Sequence, residues 1–192
     1  WFQRGVATGR CSDVIDAPIE QVLAWVWDVC SNQRMRIHRE EGNIARLTLS
    51  DNGREAKFAS IKRMPWPLWN REFLTRTTWC EKDENGVIYI AFETHDDDVD
   101  YGTSFRSVRG VIVGLLKLKP ISERQCEMTL TQNIDAAGLL PAFVVDSKIA
   151  NSLALVEEVR KNFNRDGEID LIESTALCNL MKRAGEARVV SG

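Results

Sequence analysis

The stretch Cys126-Glu127-Met128-Thr129-Leu130-Thr131-Gln132-Asn133-Ile134 alternates residue by residue. Cys126, Met128, Leu130, Gln132 and Ile134 share one face; Glu127, Thr129, Thr131, Asn133 and Asp135 share the other. Successive side chains of a strand point to opposite faces, so this segment reads as a strand with one dry and one wet face. Just downstream the period changes. Ala142, Val145, Ile149, Leu153, Val156 and Phe163 form a stripe at helical spacing, which predicts a helix of about 22 residues, roughly 33 Å long. A half-dry strand followed by one long amphipathic helix implies a sheet whose dry face grips that helix.

Upstream, Val6 to Ile15 reads as a first strand. Asp16-Ala17-Pro18 reads as a helix start, with Asp16 as N-cap and Pro18 in the first turn. Ile19, Val22, Leu23, Val26 and Val29 continue one apolar face, and the helix should end near Ser31-Asn32. Short strands are expected over 44–49, 57–63, 72–79 and 87–93. The hairpin of the last two closes through Lys82 to Gly86. Met64-Pro65-Trp66-Pro67 must be a connection, because Pro supplies no donor to a ladder. A longer run, Phe105 to Leu118, should end at Pro120, with Gly110 and Gly114 as bends or bulges. One strand, one helix, about six antiparallel strands and a long helix make an α+β fold. No internal repeat or low-complexity segment is present.

Composition narrows the function classes. The 192 residues carry 44% hydrophobic and 28% charged side chains with a net charge of -3, the balance of one folded domain. No basic stripe is present, so nucleic acid is not an expected partner. The five cysteines (Cys11, Cys30, Cys80, Cys126, Cys178) are scattered without a CxxC, which points to reduced thiols and a cytoplasmic setting. No signal peptide or membrane-spanning run is evident. The chain opens at Trp1 without Met, so further domains of a longer parent chain are expected.

Three segments resemble a known family. Asn70-Arg71-Glu72-Phe73 resembles an Arg-acidic-Phe motif that opens a central strand after a Pro-containing connection such as Pro65-Trp66-Pro67-Leu68. Val108-Arg109-Gly110 resembles a Val-Arg pair that follows a large omega loop. Ile134-Asp135-Ala136-Ala137-Gly138-Leu139-Leu140-Pro141 resembles an Asp-x-x-Gly-x-x-Pro approach to a gripping helix. Together, and in this order, they make the chain look like a START domain, the steroidogenic-acute-regulatory-related lipid-transfer fold. The resemblance runs from about Val14 to Phe163.

It implies a helix-grip fold: a curved antiparallel sheet wrapped on a long C-terminal helix around an internal apolar cavity. It divides the chain into a lipid-binding domain, 1–164, with the family's N-terminal helix clipped or absent, and a C-terminal helical extension or linker, 165–192. The implied function is non-enzymatic binding of a single lipid or sterol-like ligand, in transfer or sensing, with transient membrane contact and no cofactor. The sequence departs from the sterol-binding members, which place an acidic residue and an arginine in the tunnel; the aligned positions fall near Lys62 and Thr77.

The expected lipid-binding residues are Phe92, Arg109, Met128, Leu130, Gln132, Ile134, Val145, Ile149 and Leu153. Burying apolar ligand surface among them would drive binding at roughly 25 cal/mol per Å². Gln132 could serve a ligand headgroup or a neighbouring side chain. Arg71 and Glu72 read as ligand contacts or, more simply, as a structural pair. Lys62 or Arg63 should face inward if both lie on one strand, and an inward cation needs a phosphate or carboxylate partner; the plainer reading sends it to water. Trp66 and Trp69 could touch a membrane interface or pack over the sheet's end. The loop Thr94 to Ser104, facing residues 138–143, is the expected gate.

No metal or catalytic residue is assigned. His38 has no sequence partner for nucleophilic chemistry, and no Gly-x-Ser-x-Gly elbow or phosphate loop occurs. The carboxylates at 95–100 read as a solvated loop. Asn162 to Glu173 matches the spacing of an EF-hand loop, but its first position is Asn and it has no partner loop, so calcium should bind weakly or not at all. The alternatives to lipid carriage are an enzyme of the same fold, cyclase-like or hydrolase-like, and a ligand-free interaction module. An enzyme would need inward titratable groups, and few are expected from the dry strand face.

Overall fold

The alternating segment is the middle of a strand that runs further than its alternation. The structure, a computed structural model, describes residues 2–189, and their side chains except those of 2–4, 142, 143, 145–152, 169, 173 and 182–189. In chain order the elements are β1 (Phe2–Ile15), α1 (Ile19–Trp27), α2 (Asn32–Glu40), β2 (Ala45–Asp51), β3 (Glu55–Lys62), β4 (Asn70–Trp79), β5 (Ile88–Thr94), β6 (Ser107–Arg109), β7 (Val111–Ser122), β8 (Gln125–Pro141), α3 (Ala142–Asn162) and α4 (Asp166–Val189). The strands form one curved, unclosed sheet in the order β1-β8-β7-β5-β4-β3-β2. All pairings are antiparallel except that of β6, which runs parallel to the start of β4.

The dry face of β8 packs as its period demands. Cys126, Met128 and Leu130 are fully buried with Ile90, Leu116 and Leu118 of the neighbouring strands and Val156 and Val159 of α3. Ile15, Ile19 and Val22 close the same core from β1 and α1. A smaller cluster, Met64, Leu140 and Val144, holds the connection before β4 against the join of β8 and α3. The expected α+β helix-grip architecture is present.

Four local readings are corrected. Asp16 does not cap α1: Pro18 holds the cap position without a side-chain bond, and Asp16 Oδ1 accepts from Gln125 Nε2 at 2.8 Å. The first helix stops at Trp27, and a second, α2, starts where an end was expected, capped by Ser31, whose Oγ accepts from the Arg34 amide. Residues 32–40 carry only two large apolar side chains, Met35 and Ile37, so no stripe announced the helix. The strand expected to end near Ile134 runs on through 138–141 to the start of α3, which Gly138 and Pro141 precede as expected, with Ala137 and Gly138 in the left-handed region and a register slip in β1 between Arg4 and Val6. Pro120 lies within β7 instead of ending it; the register slips between Pro120 and Ser122 there, the bulge at which a strand tolerates a missing donor.

Gly114 marks a close approach. A Cβ there would sit 2.2 Å from the Phe92 ring on β5 and 2.8 Å from the Thr131 carbonyl on β8. The EF-hand spacing does not become a loop. Asn162 ends α3, and from Asp166 the segment winds into α4, which spaces its oxygens along a helix.

Candidate functional site

Between the sheet, α2 and α3 a cavity of about 330 Å³ remains. One wall is apolar: Phe73, Ile112, Ile134, Ala136, Leu140 and Leu155. The other is charged: Arg34, His38 and Glu41 from α2 and its C-cap, Arg46 from β2, Lys62 from β3 and Glu158 from α3. Ser60, Thr75 and Gln132 add neutral polar groups. Inward titratable groups are therefore more numerous than the dry strand face alone suggested.

The charged wall is held by the C-terminal end of α1. Arg34 is buried; its Nη1 donates to the carbonyl of Val26 at 2.9 Å, and its guanidinium lies 4.7 Å over the Trp25 ring. Arg46 Nη1 donates to the Val29 carbonyl at 3.2 Å. Carbonyls at and just beyond a helix C-terminus favour cations, which helps to keep both guanidiniums in place. Burial, with the charge of Arg46 second, pushes Arg34 down to about 10, and burial likewise lowers Arg46.

Lys62 Nζ lies 3.4 Å from Glu41 Oε2; burial lowers its pKa and Glu41 works against that. Glu158 is raised by burial against the pull of the cations, and among the described residues it has no ion-pair partner within 4 Å. His38 is 2% exposed, and a hydrogen bond to the backbone of Ala45 favours its charged form only weakly. Burial, then the charges of Arg46 and Lys62, push it down to about 4, so it is neutral at pH 7.

Below the cavity, the three motif segments bolt to one another. Arg71, buried on β4, donates to the carbonyls of Trp69, Ala136 and Ala137. Glu72 accepts from Arg109 Nε at 3.3 Å and from the Tyr101 hydroxyl at 2.8 Å. Arg71 and Glu72 are thus structural, although Arg71 also borders the cavity.

No protein-family model matches the sequence, and no curated protein matches it either. Solved structures do. The human StarD13 lipid transfer and protein localization domain superposes with a TM-score of 0.65 at 16% identity, covering 85% of this chain and 82% of that one. The STAR-related lipid transfer protein of Xanthomonas axonopodis gives 0.62 at 18% identity, covering 80% and 84%. The fold is that of a START domain. The same fold also carries the Zhui aromatase/cyclase of Streptomyces sp. R1128, at a TM-score of 0.54 and 12% identity over 83% and 94% of the two chains.

On this START fold the sequence-predicted residues separate. Gln132 and Ile134 line the cavity. Met128 and Leu130 belong to the packed core nearer the other end of β8. Phe92 packs on that core and over Gly114, and Leu153 packs on it and against Gly9 of β1. Arg109 pairs with Glu72 beside a second depression under Tyr101 and Phe105. The side chains of Val145 and Ile149 lie outside the described residues.

Lys62 lines the cavity while its side chain stays partly in water. Among the described residues, none of 94–104 lines the cavity; that loop is tied down by Lys57 with Asp97 at 2.7 Å and by Tyr101 with Glu72. The reading missed Arg34, His38, Glu41, Arg46, Leu155 and Glu158. Glu158 stands on the face of α3 opposite its apolar stripe, where a carboxylate reads as solvated, and α2 left no apolar signal to follow.

Proposed function

We propose that this domain binds one lipid or sterol-like amphiphile in the cavity and transfers or senses it, without chemistry, as a module of a longer protein. The observation that supports this most is a cavity of about 330 Å³ between sheet and helix, with an apolar wall and a polar wall. Its volume is at the small end of ligand pockets, which suits one compact or single-chain molecule. Removing the ligand's apolar surface from water drives binding.

Transient membrane contact fits the rim. Trp66 is 92% exposed, Trp69 55% and Leu139 66%. Arg71 ties the Trp69 backbone to that of Ala136, beside the cavity-lining Met64 and Leu140. Tryptophan is at home at a membrane–water interface. Among the described residues no helix is long and apolar enough to cross a membrane. A cytoplasmic setting fits cysteines that are all free.

The test is mass spectrometry of an organic extract of the purified domain, with displacement of a fluorescent lipid. An extract free of amphiphile and no displacement would leave the interaction-module reading. A second reading, an enzyme of this fold, is favoured by neutral His38 beside Lys62 and near Glu158 in the cavity wall. Conversion of a bound probe to a new mass, lost in His38→Gln, would replace the carrier reading.

A further inference from the structure

The polar wall has a definite chemical preference. Arg34, Arg46 and Lys62 face it with two carboxylates, Glu41 and Glu158, while the fourth lining cation, Arg71, is bonded to three backbone carbonyls. Only one pair is close, Lys62 with Glu41 at 3.4 Å. Among the described residues Arg34 and Arg46 hydrogen-bond to backbone carbonyls, Arg34 also lies over the Trp25 ring, and neither has a carboxylate within 4 Å. Buried cations without an anion are costly. An unused donor points the same way: Arg34 Nε is buried without a hydrogen-bond partner among the described residues. A cationic headgroup would be repelled here, and among the described lining residues Phe73 is the one Phe, Tyr or Trp, too few to cage an ammonium.

We infer that this wall is an oxyanion subsite, in which Lys62, Arg46 and Arg34 hold the carboxylate or phosphate of an amphiphile whose tail lies along Ile112, Ile134 and Leu155. The inference rests on the carrier reading above and names its ligand class. Guanidinium and ammonium donors to an oxyanion make the stronger, charge-assisted class of hydrogen bond, and the anion supplies the countercharge that the guanidiniums lack. His38, also in the cavity lining, stays neutral beside the cations and adds no charge of its own. Continuity of the charged and apolar walls in one cavity favours an acid with a tail over a free inorganic anion.

The experiment titrates the full chain with dansyl-undecanoate, with its methyl ester and with inorganic phosphate, in wild type, Lys62→Met and Lys62→Arg. The acid should bind about tenfold tighter than the ester in wild type. Lys62→Met should reduce that preference to less than about threefold, and Lys62→Arg should keep it. Equal binding of acid and ester by wild type overturns the subsite but leaves the carrier reading, and needs no variant to fold. Binding of neither, with no displaceable lipid, overturns the carrier reading itself. Inorganic phosphate competing as strongly as the acid overturns the assignment of the tail.

Discussion

Lys62, the last residue of β3, places its Nζ 3.4 Å from Oε2 of Glu41, the residue that caps α2. The pair is half-exposed, so it stabilises little, but it occupies the charge that the proposed ligand would use. Glu41→Gln is expected to raise affinity for dansyl-undecanoate about three- to tenfold while lowering stability by less than about 1 kcal/mol. Probe titration and a urea midpoint check both. A weaker-binding variant would mean that Glu41 orients Lys62 rather than competing with the ligand.

His38 predicts a pH dependence. Its folded pKa is about 4, against an ordinary value of 6.5. As pH falls below about 6.5 the unfolded chain takes up a proton that the folded chain refuses until about 4. Stability should therefore be complete above that window and fall as pH falls through it, by on the order of 2–3 kcal/mol. Glu158, raised by burial, acts in the opposite sense, losing stability as pH rises. The contribution of His38 is thus read as the difference in slope between wild type and His38→Gln in urea unfolding from pH 7.5 to 4.5. Parallel curves would show that His38 takes up its proton in the fold as readily as in the unfolded chain.

Cavity wall and core should respond differently to substitution. Ile134 lines the cavity, whereas Met128, on the same face of β8, is sealed in the core. Ile134→Trp is expected to abolish probe binding at a cost below about 1.5 kcal/mol, because the added ring has space to enter. Met128→Ala should cost about 2–5 kcal/mol and leave binding intact where the protein is folded. Urea unfolding and probe titration on both variants give the contrast.

These two residues show where sequence reading stops. Both stand on the period-two face that identified β8, and α3 ends within one residue of its expected end, because burial against water imposes those periods directly. Nothing local tells Met128 from Ile134; the difference is that Met128 packs in one core with Val156 and Val159 of α3, whereas Ile134 lines the cavity. The motif segments were legible as positions, but Arg71, Glu72 and Arg109 proved to fasten the segments to one another. The charged wall was least legible. Its residues come from α2, β2, β3 and α3, and each alone reads as an ordinary surface charge.

The glycines offer a graded test of packing. An added Cβ at Gly114 would strike the Phe92 ring and, at 2.8 Å, the backbone oxygen of Thr131, which cannot yield without moving the sheet. At Gly9 it would meet only the tip of Leu153, at 2.8 Å, which can rotate away. Gly114→Ala should cost about 2–3 kcal/mol and Gly9→Ala about 1 kcal/mol or less. Equal costs in urea unfolding would show that α3 holds Leu153 as rigidly as β8 holds its backbone.

The exposed tryptophans separate binding from delivery. Trp66 is 92% exposed and supports no core, so its loss should change stability by less than about 0.5 kcal/mol. If the rim of Trp66, Trp69 and Leu139 meets the membrane, its rings are used only while the ligand passes between bilayer and cavity. Trp66→Ala combined with Trp69→Ala should then slow transfer of a fluorescent fatty acid to phosphatidylcholine vesicles severalfold. Affinity for the same probe in solution should not change, because neither ring lines the cavity. The loop 94–104 provides the comparison. Phe105→Ala, next to that loop and lining the second depression, should leave transfer unaffected. Stopped-flow transfer with vesicles present, against equilibrium titration without them, reads the two quantities separately. Unchanged transfer in the double variant with slower transfer in Phe105→Ala would move the gate back to the loop that the sequence first suggested.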